Sequence, residues 1–137
     1  MNKVKLTQYC NSYILSSSGF EVNVFDDNWK ISKTCNLNVA GTLKYLNESL
    51  YDGFIKTISY FVSELSDCYA LNIFHAFNKM VNKQRVDYID ESLILNFMNR
   101  LEKKRLYEFS ILKIMLKKWY SLNLPGIDSK VIKLFNE

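Results

Sequence analysis

Apolar and polar residues alternate near the amino end of the chain. Residues 20–25 read Phe-Glu-Val-Asn-Val-Phe, with Ser-Ser-Ser-Gly before them and Asp-Asp-Asn after them. Alternation bounded by turn-forming residues predicts a strand. Residues 29–31 can return across the Asp-Asp-Asn turn as a partner strand, which would complete a hairpin. Because a lone hairpin is marginal in water, we expect it to pack against another part of the protein.

From about Asn38 the pattern changes, and apolar residues recur at the spacings of three and four that are typical of a helix. The first helical run extends to about residue 65, with Gly53 as a candidate interruption. Ser66 or Asp67 is expected to cap a second helix, because short polar side chains satisfy the free N–H groups of a first turn.

Two further helices are predicted in the second half of the chain. The first begins at Asp90 or Glu91 and ends at the charged run 100–105. The second covers about 106–122, because its apolar residues fall on one arc at 100° per residue: Phe109, Leu112, Met115, Leu116 and Trp119. Lysines occupy the opposite arc.

The end of the sequence predicts a turn and a last helix. Pro125 and Gly126 stop the preceding helix, since Pro cannot continue it and Gly permits a left-handed turn. Asp128 or Ser129 is expected to cap the helix that follows. The helical pattern is still running at Glu137, so we expect the chain to be a fragment of a longer protein.

Length and composition agree with a folded, mainly α protein. The chain has 137 residues, of which 48% are hydrophobic, with four Gly and one Pro, so it can bury a core. The sequence therefore predicts an amino-terminal segment with a β-hairpin, 1–37, followed by a helical domain, 38–137.

Charge is distributed unevenly along the chain. Residues 1–78 hold six Lys/Arg against seven Asp/Glu, whereas 79–137 hold twelve against seven. A basic half suggests a polyanionic partner, although ordinary domains also carry one. No apolar run is long enough for a signal or a membrane helix, and Cys10, Cys35 and Cys68 have no paired spacing. We therefore expect a cytoplasmic protein with no membrane partner.

Candidate catalytic and metal-binding residues are scarce. The single histidine, His75, stands in an apolar helix and is interpreted as a structural residue. Without a second histidine or paired cysteines, neither a metal nor another cofactor is expected. The cysteines themselves are expected to be buried small side chains. No phosphate-cradling glycine motif or nucleophile elbow occurs, so no active site is expected in these residues.

The basic residues remain as candidates for function. Phosphate neutralisation requires positive charge distributed over helix faces, helix ends and connections. A solvated face without a ligand would show the same pattern, and both interpretations stay open. The candidate phosphate contacts are Lys79, Lys83, Arg85, Lys103, Lys104, Arg105, Lys113, Lys117 and Lys118. Tyr107 and Ser110 would join Arg105 at bases or phosphates if their helix entered a major groove by its first turn.

The carboxy-terminal third of the chain resembles a known family. Residues 112–137 read LKIMLKKWYSLNLPGIDSKVIKLFNE, a long helix that runs into Trp and then a Pro-Gly turn. This stretch is similar to the end of the core-binding domain in tyrosine recombinases of the phage integrase type. The resemblance extends more faintly back to Cys68, through a helix over 69–83 and a short helix after Ile89.

The resemblance implies a core-binding, SAM-like helical bundle that forms half of a clamp around double-stranded DNA. The nine basic residues would contact phosphates, and other recombinase protomers would be further partners. The family's catalytic residues lie in a following domain, and none is recognisable here, since Ala-Phe-Asn follows His75 where a His-x-x-Arg motif needs arginine. We therefore expect a DNA-binding fragment of an integrase-like site-specific recombinase that is not itself an enzyme. The alternative is a helical protein–protein interaction module with no role on DNA.

Overall fold

The computed structural model describes residues 12–101 and 106–136, which are mainly α-helical with short paired strands at the amino end, as predicted. The strands are β1 (Tyr13–Leu15), β2 (Glu21–Asn23), β3 (Asn28–Lys30) and β4 (Asn36–Asn38). The helices are α1 (Val39–Leu43), α2 (Tyr51–Glu64), α3 (Asp67–Val81), α4 (Glu91–Arg100), α5 (Leu106–Ser121) and α6 (Ser129–Phe135), with a 3-10 helix at Glu48–Leu50.

The strands pair differently from the prediction. β2 pairs antiparallel with β1, and β3 pairs antiparallel with β4. Gly19 takes φ +87° in the turn between β1 and β2, a conformation that glycine adopts without steric cost. At the other end of β2, Asn23 Oδ1 accepts the N–H of Phe25 at 2.9 Å and turns the chain away. The expected pairing of β2 with residues 29–31 is therefore wrong.

Both hairpins are supported by the helices. Val22, Trp29 and Leu37 are buried, and they belong to the same apolar core as the helices. The Ser17 N–H also donates to the carbonyl of Val62 in α2 at 3.0 Å. The expectation that the strands need another element to pack against is confirmed.

α2 is buried on most of its sides and lies at the centre of the core. The ring of Phe54 packs against Phe77 of α3 with centroids 4.9 Å apart. Gly53 lies within α2, so its expected role as an interruption is wrong. It leaves room for Trp119 of α5 instead, since a Cβ at this position would lie 2.5 Å from Trp119 Nε1. The predicted helical run breaks earlier, at residues 44–50.

Side-chain caps confirm three predicted helix starts. Ser66, Asp90 and Asp128 each accept a backbone N–H from the first turn of α3, α4 and α6, at 3.2, 3.0 and 3.0 Å. Each cap satisfies a donor that has no partner within its helix.

Replacing Ser66 by Ala is expected to destabilise the protein by about 1 kcal/mol, because the Tyr69 N–H at the start of α3 loses its acceptor. Urea unfolding followed by circular dichroism measures this change. Ser66→Asp is the matched control, since Asp caps a helix as well as Ser does and should keep the stability near that of the parent. Equal stability of Ser66→Ala and the parent would contradict the role of the cap.

The carboxy-terminal helices pack through three phenylalanines. The ring of Phe109 in α5 lies 6.4 Å from that of Phe97 in α4 and 5.9 Å from that of Phe135 in α6. Because Phe109 is near the start of α5 and Phe135 is at the end of α6, α6 runs back along α5. Trp119 Nε1–H donates to the carbonyl of Pro125 at 2.9 Å and ties down the loop between them. The outward sides of α5 and α6 are therefore neighbouring surfaces.

Candidate nucleic-acid interface

Of the two lysines at the end of α3, one forms an ion pair with a described residue and the other does not. Lys79 Nζ forms an ion pair with Glu108 Oε2 at 2.8 Å, which joins α3 to α5. Lys83 is exposed in a left-handed turn after α3, with φ +54°, and forms no ion pair with any described residue. Of these two predicted phosphate contacts, only Lys83 has a charge that is not already shared with a carboxylate.

Arg85 is paired locally. Its Nε donates to Asp87 Oδ1 at 3.0 Å, and both side chains are exposed. This hydrogen bond, together with one from Asn47, lowers the pKa of the Asp87 carboxyl below its usual value. The small stabilisation from that carboxylate is present above its unfolded pKa and is lost as the pH falls. Because exposed pairs are weak, a phosphate can take over the guanidinium at little cost.

The three predicted lysines of α5 cover its outward side. Lys113 Nζ lies 5.6 Å from the ring centroid of Phe109, on the side of α5 that faces α6. Lys118 Nζ lies 4.1 Å from the ring centroid of Tyr60 in α2, on the opposite side. Lys117 is exposed between them. Contacts with aromatic rings leave a lysine charged, and none of the three pairs with an acidic residue in the described part of the chain.

Two further lysines, Lys130 and Lys133, were not singled out from the sequence. Both are exposed on α6, next to α5. Residues 109–136 contain five lysines and a single acidic residue, Asp128, which makes +4, the formal net charge of the whole chain. Asp128 is moreover engaged as the cap of α6. Charge counted segment by segment, rather than by halves, would have identified this concentration.

Lys103, Lys104 and Arg105 lie outside the described residues. Tyr107, predicted beside them as a base or phosphate contact, is 61% exposed in the first turn of α5. Ser110 is also exposed, one turn further along the same helix.

His75 and two of the three cysteines lie among the described residues. His75 is exposed in a shallow groove of about 400 Å³ between α3 and α5. Cys35 is half-buried, and burial followed by the nearby Asp67 carboxylate raises the pKa of its thiol. Cys68 is exposed on the outward side of α3, so its expected burial is wrong, and Cys10 lies outside the described residues. No three His, Cys, Asp or Glu residues come together as metal ligands within residues 12–101 and 106–136.

Among the described residues, no helix has the length and apolar character needed to cross a membrane. Comparisons with protein-family models, with curated proteins and with solved structures find no match to the chain. Any functional inference therefore rests on the chemistry of the surface, above all on α3, α5 and α6.

Proposed function

We propose that this protein binds double-stranded DNA through the lysine-rich outward surface of α5 and α6. We call this surface the α5–α6 face, and its members are Lys113, Lys117, Lys118, Lys130 and Lys133. The observation that carries the proposal is the concentration of the chain's whole net charge on these two neighbouring helices, with no acidic side chain paired to the α5 lysines in the described part.

The geometry of the α5–α6 face suits a phosphate backbone. A helix of 16 residues is about 24 Å long, so α5 can follow several successive phosphates of a duplex. A lysine carries a point charge on a flexible stem, which suits contacts that need no fixed direction. Lys83 would add a contact at the end of α3. Lys79 would contribute less, because it must first leave the half-buried carboxylate of Glu108, whereas Arg85 can leave the exposed Asp87 at little cost.

We further propose that DNA binding serves site-specific recombination, with the chain acting as the core-binding part of an integrase-like tyrosine recombinase. The support is the sequence resemblance over 112–137 and the order of helices that precedes it. Cutting and rejoining would belong to a separate catalytic domain, so this part is not an enzyme, and other recombinase protomers would be its protein partners. The free thiols Cys35 and Cys68 suit the reducing cytoplasm in which such a protein would act.

The salt dependence of binding tests the DNA proposal. If five to eight phosphates are neutralised, the slope of log affinity against log salt concentration should be about −4 to −7. Fluorescence anisotropy with a labelled duplex, between about 50 and 200 mM salt, measures this slope. A flat salt dependence, or no binding to any duplex at the low-salt end, would overturn the proposal.

One observation favours the alternative, a protein–protein interaction module. Tyr107, Ile114 and Tyr120 are large apolar residues that are 61%, 43% and 43% exposed on α5, among the lysines. A partner helix can dock on such residues. Binding of that kind buries apolar area and depends weakly on salt. If this is the only function, the labelled duplex should not bind at the low-salt end of the titration.

A further inference from the structure

A polar groove lies between the carboxy-terminal end of α3 and the exposed side of α4. Its volume is about 380 Å³. The side chains that matter for its chemistry are four amides and two guanidinium groups: Asn82, Gln84, Asn96, Asn99, Arg85 and Arg100. No acidic residue is among the described residues that line it.

Arg100 is the fixed element of this groove. Its Nη1 and Nη2 donate to the carbonyls of Lys79 and Met80 at 3.0 and 3.1 Å, and these carbonyls belong to the last turn of α3. Its guanidinium also lies 5.6 Å from the ring centroid of Phe97. These contacts tie the end of α4 to the end of α3, the two elements that carry the amides of the groove.

The amides of the groove are free to bind a ligand. Asn96 and Asn99 are three residues apart on the exposed side of α4, and Asn82 and Gln84 face them from the turn after α3. None of these four side chains hydrogen-bonds to another described residue. Each amide offers both a donor and an acceptor, which distinguishes the groove from the purely cationic α5–α6 face.

Such a lining matches the edges of nucleobases. Asn and Gln pair with adenine through one donor and one acceptor, and Arg pairs with guanine through two donors. A phosphate, in contrast, offers acceptors alone and would leave the carbonyl oxygens of the amides without a partner. α4 is also narrow enough to enter a major groove about 12 Å wide. The exposed Leu95 and Met98 on the adjoining side can contact thymine methyl groups.

We propose that the groove between α3 and α4 reads base edges in the major groove of the bound duplex, with Asn96 and Asn99 as the residues that determine sequence preference. This inference rests on the proposed DNA binding, in which the α5–α6 face holds the backbone and the groove between α3 and α4 selects the sequence. Base contacts and phosphate contacts have different signatures, because only base contacts depend on sequence.

The test starts from the full chain and a pool of random duplexes, from which the preferred sequence is selected. The affinity for that sequence and for a scrambled one is then measured for the parent and for Asn96→Ala with Asn99→Ala. The sequence preference is the ratio of these two affinities. We expect it to fall in the double variant by about 5-fold to 150-fold for each base contact removed. Its affinity for the scrambled duplex and its salt slope should be unchanged.

Misfolding cannot mimic this result, because Ala is a better helix former than Asn and should strengthen α4. The matched control is Asn28→Ala with Asn36→Ala, which removes two exposed amides from the β3–β4 hairpin and should leave the preference intact. If the α4 variant keeps the sequence preference of the parent, or if the parent selects no sequence, the groove does not read bases. The proposed DNA binding would still stand. If a free mononucleotide displaces the selected duplex and binds with the same affinity, the groove is a nucleotide pocket, and the proposed reading of base edges is wrong. No binding to any duplex would refute both proposals.

Discussion

Changing Lys113, Lys117 and Lys118 together to Glu is expected to lower the affinity for duplex DNA by about 500-fold at 0.1 M salt. With a slope of about −0.9 per phosphate, each lost contact costs about eightfold at that salt concentration, and three contacts multiply to this value. The reversed charges add repulsion, so the loss should be at least this large. The slope of log affinity against log salt should also become shallower by about 2.7.

A matched variant separates the α5–α6 face from net charge alone. Three Lys-to-Glu changes alter the charge by six units, so the formal net charge falls from +4 to −2 wherever they are made. Lys30, Lys33 and Lys44 are exposed in the first half of the chain and serve as the control set. If the two triple variants lose affinity equally, the charge of α5 has no special role. If the α5 triple variant loses DNA binding but still binds a partner protein, the chain has both functions.

Helix starts and stops could be predicted because they depend on nearby residues. Ser66, Asp90 and Asp128 cap the first turn of their own helices, and α5 ends at Ser121, four residues before Pro125. The spacing of apolar residues that predicts a helix is likewise contained within that single helix. These features are local, and the sequence presents each of them in one short window.

Features that depend on distant residues could not be predicted. The partner of β2 does not follow from separation along the chain, since five residues separate β2 from its partner β1 and four separate it from β3. The requirement for glycine at position 53 is visible only in the folded structure, where the indole of Trp119 packs against it. For the basic residues, sequence identifies the charge of Lys79 but not the carboxylate of Glu108 that shares it. Charge counting therefore overstates the number of free cations at the end of α3.

Gly53 and Trp119 should show strong energetic coupling. Gly53→Ala is expected to destabilise the parent by about 2 kcal/mol, because the new methyl group overlaps the indole of a Trp that is 0% exposed and stacked on Phe77. Trp119→Leu should cost about 3 kcal/mol, through the smaller buried side chain and the lost hydrogen bond to the Pro125 carbonyl. Urea unfolding of each variant measures both values.

The double variant decides whether the overlap is the cause. With Leu at 119 the space beside α2 is open, so adding Ala at 53 should be neutral or stabilising by up to about 1 kcal/mol, the usual preference of a helix for Ala over Gly. The coupling energy should then reach about 2 to 3 kcal/mol. Glu64→Ala, at an exposed position of α2, should change the stability by less than about 0.5 kcal/mol in either background. If Gly53→Ala costs the same with Trp or Leu at 119, the close approach of the indole is not what requires glycine, and the packing of α5 on α2 must be held by other contacts.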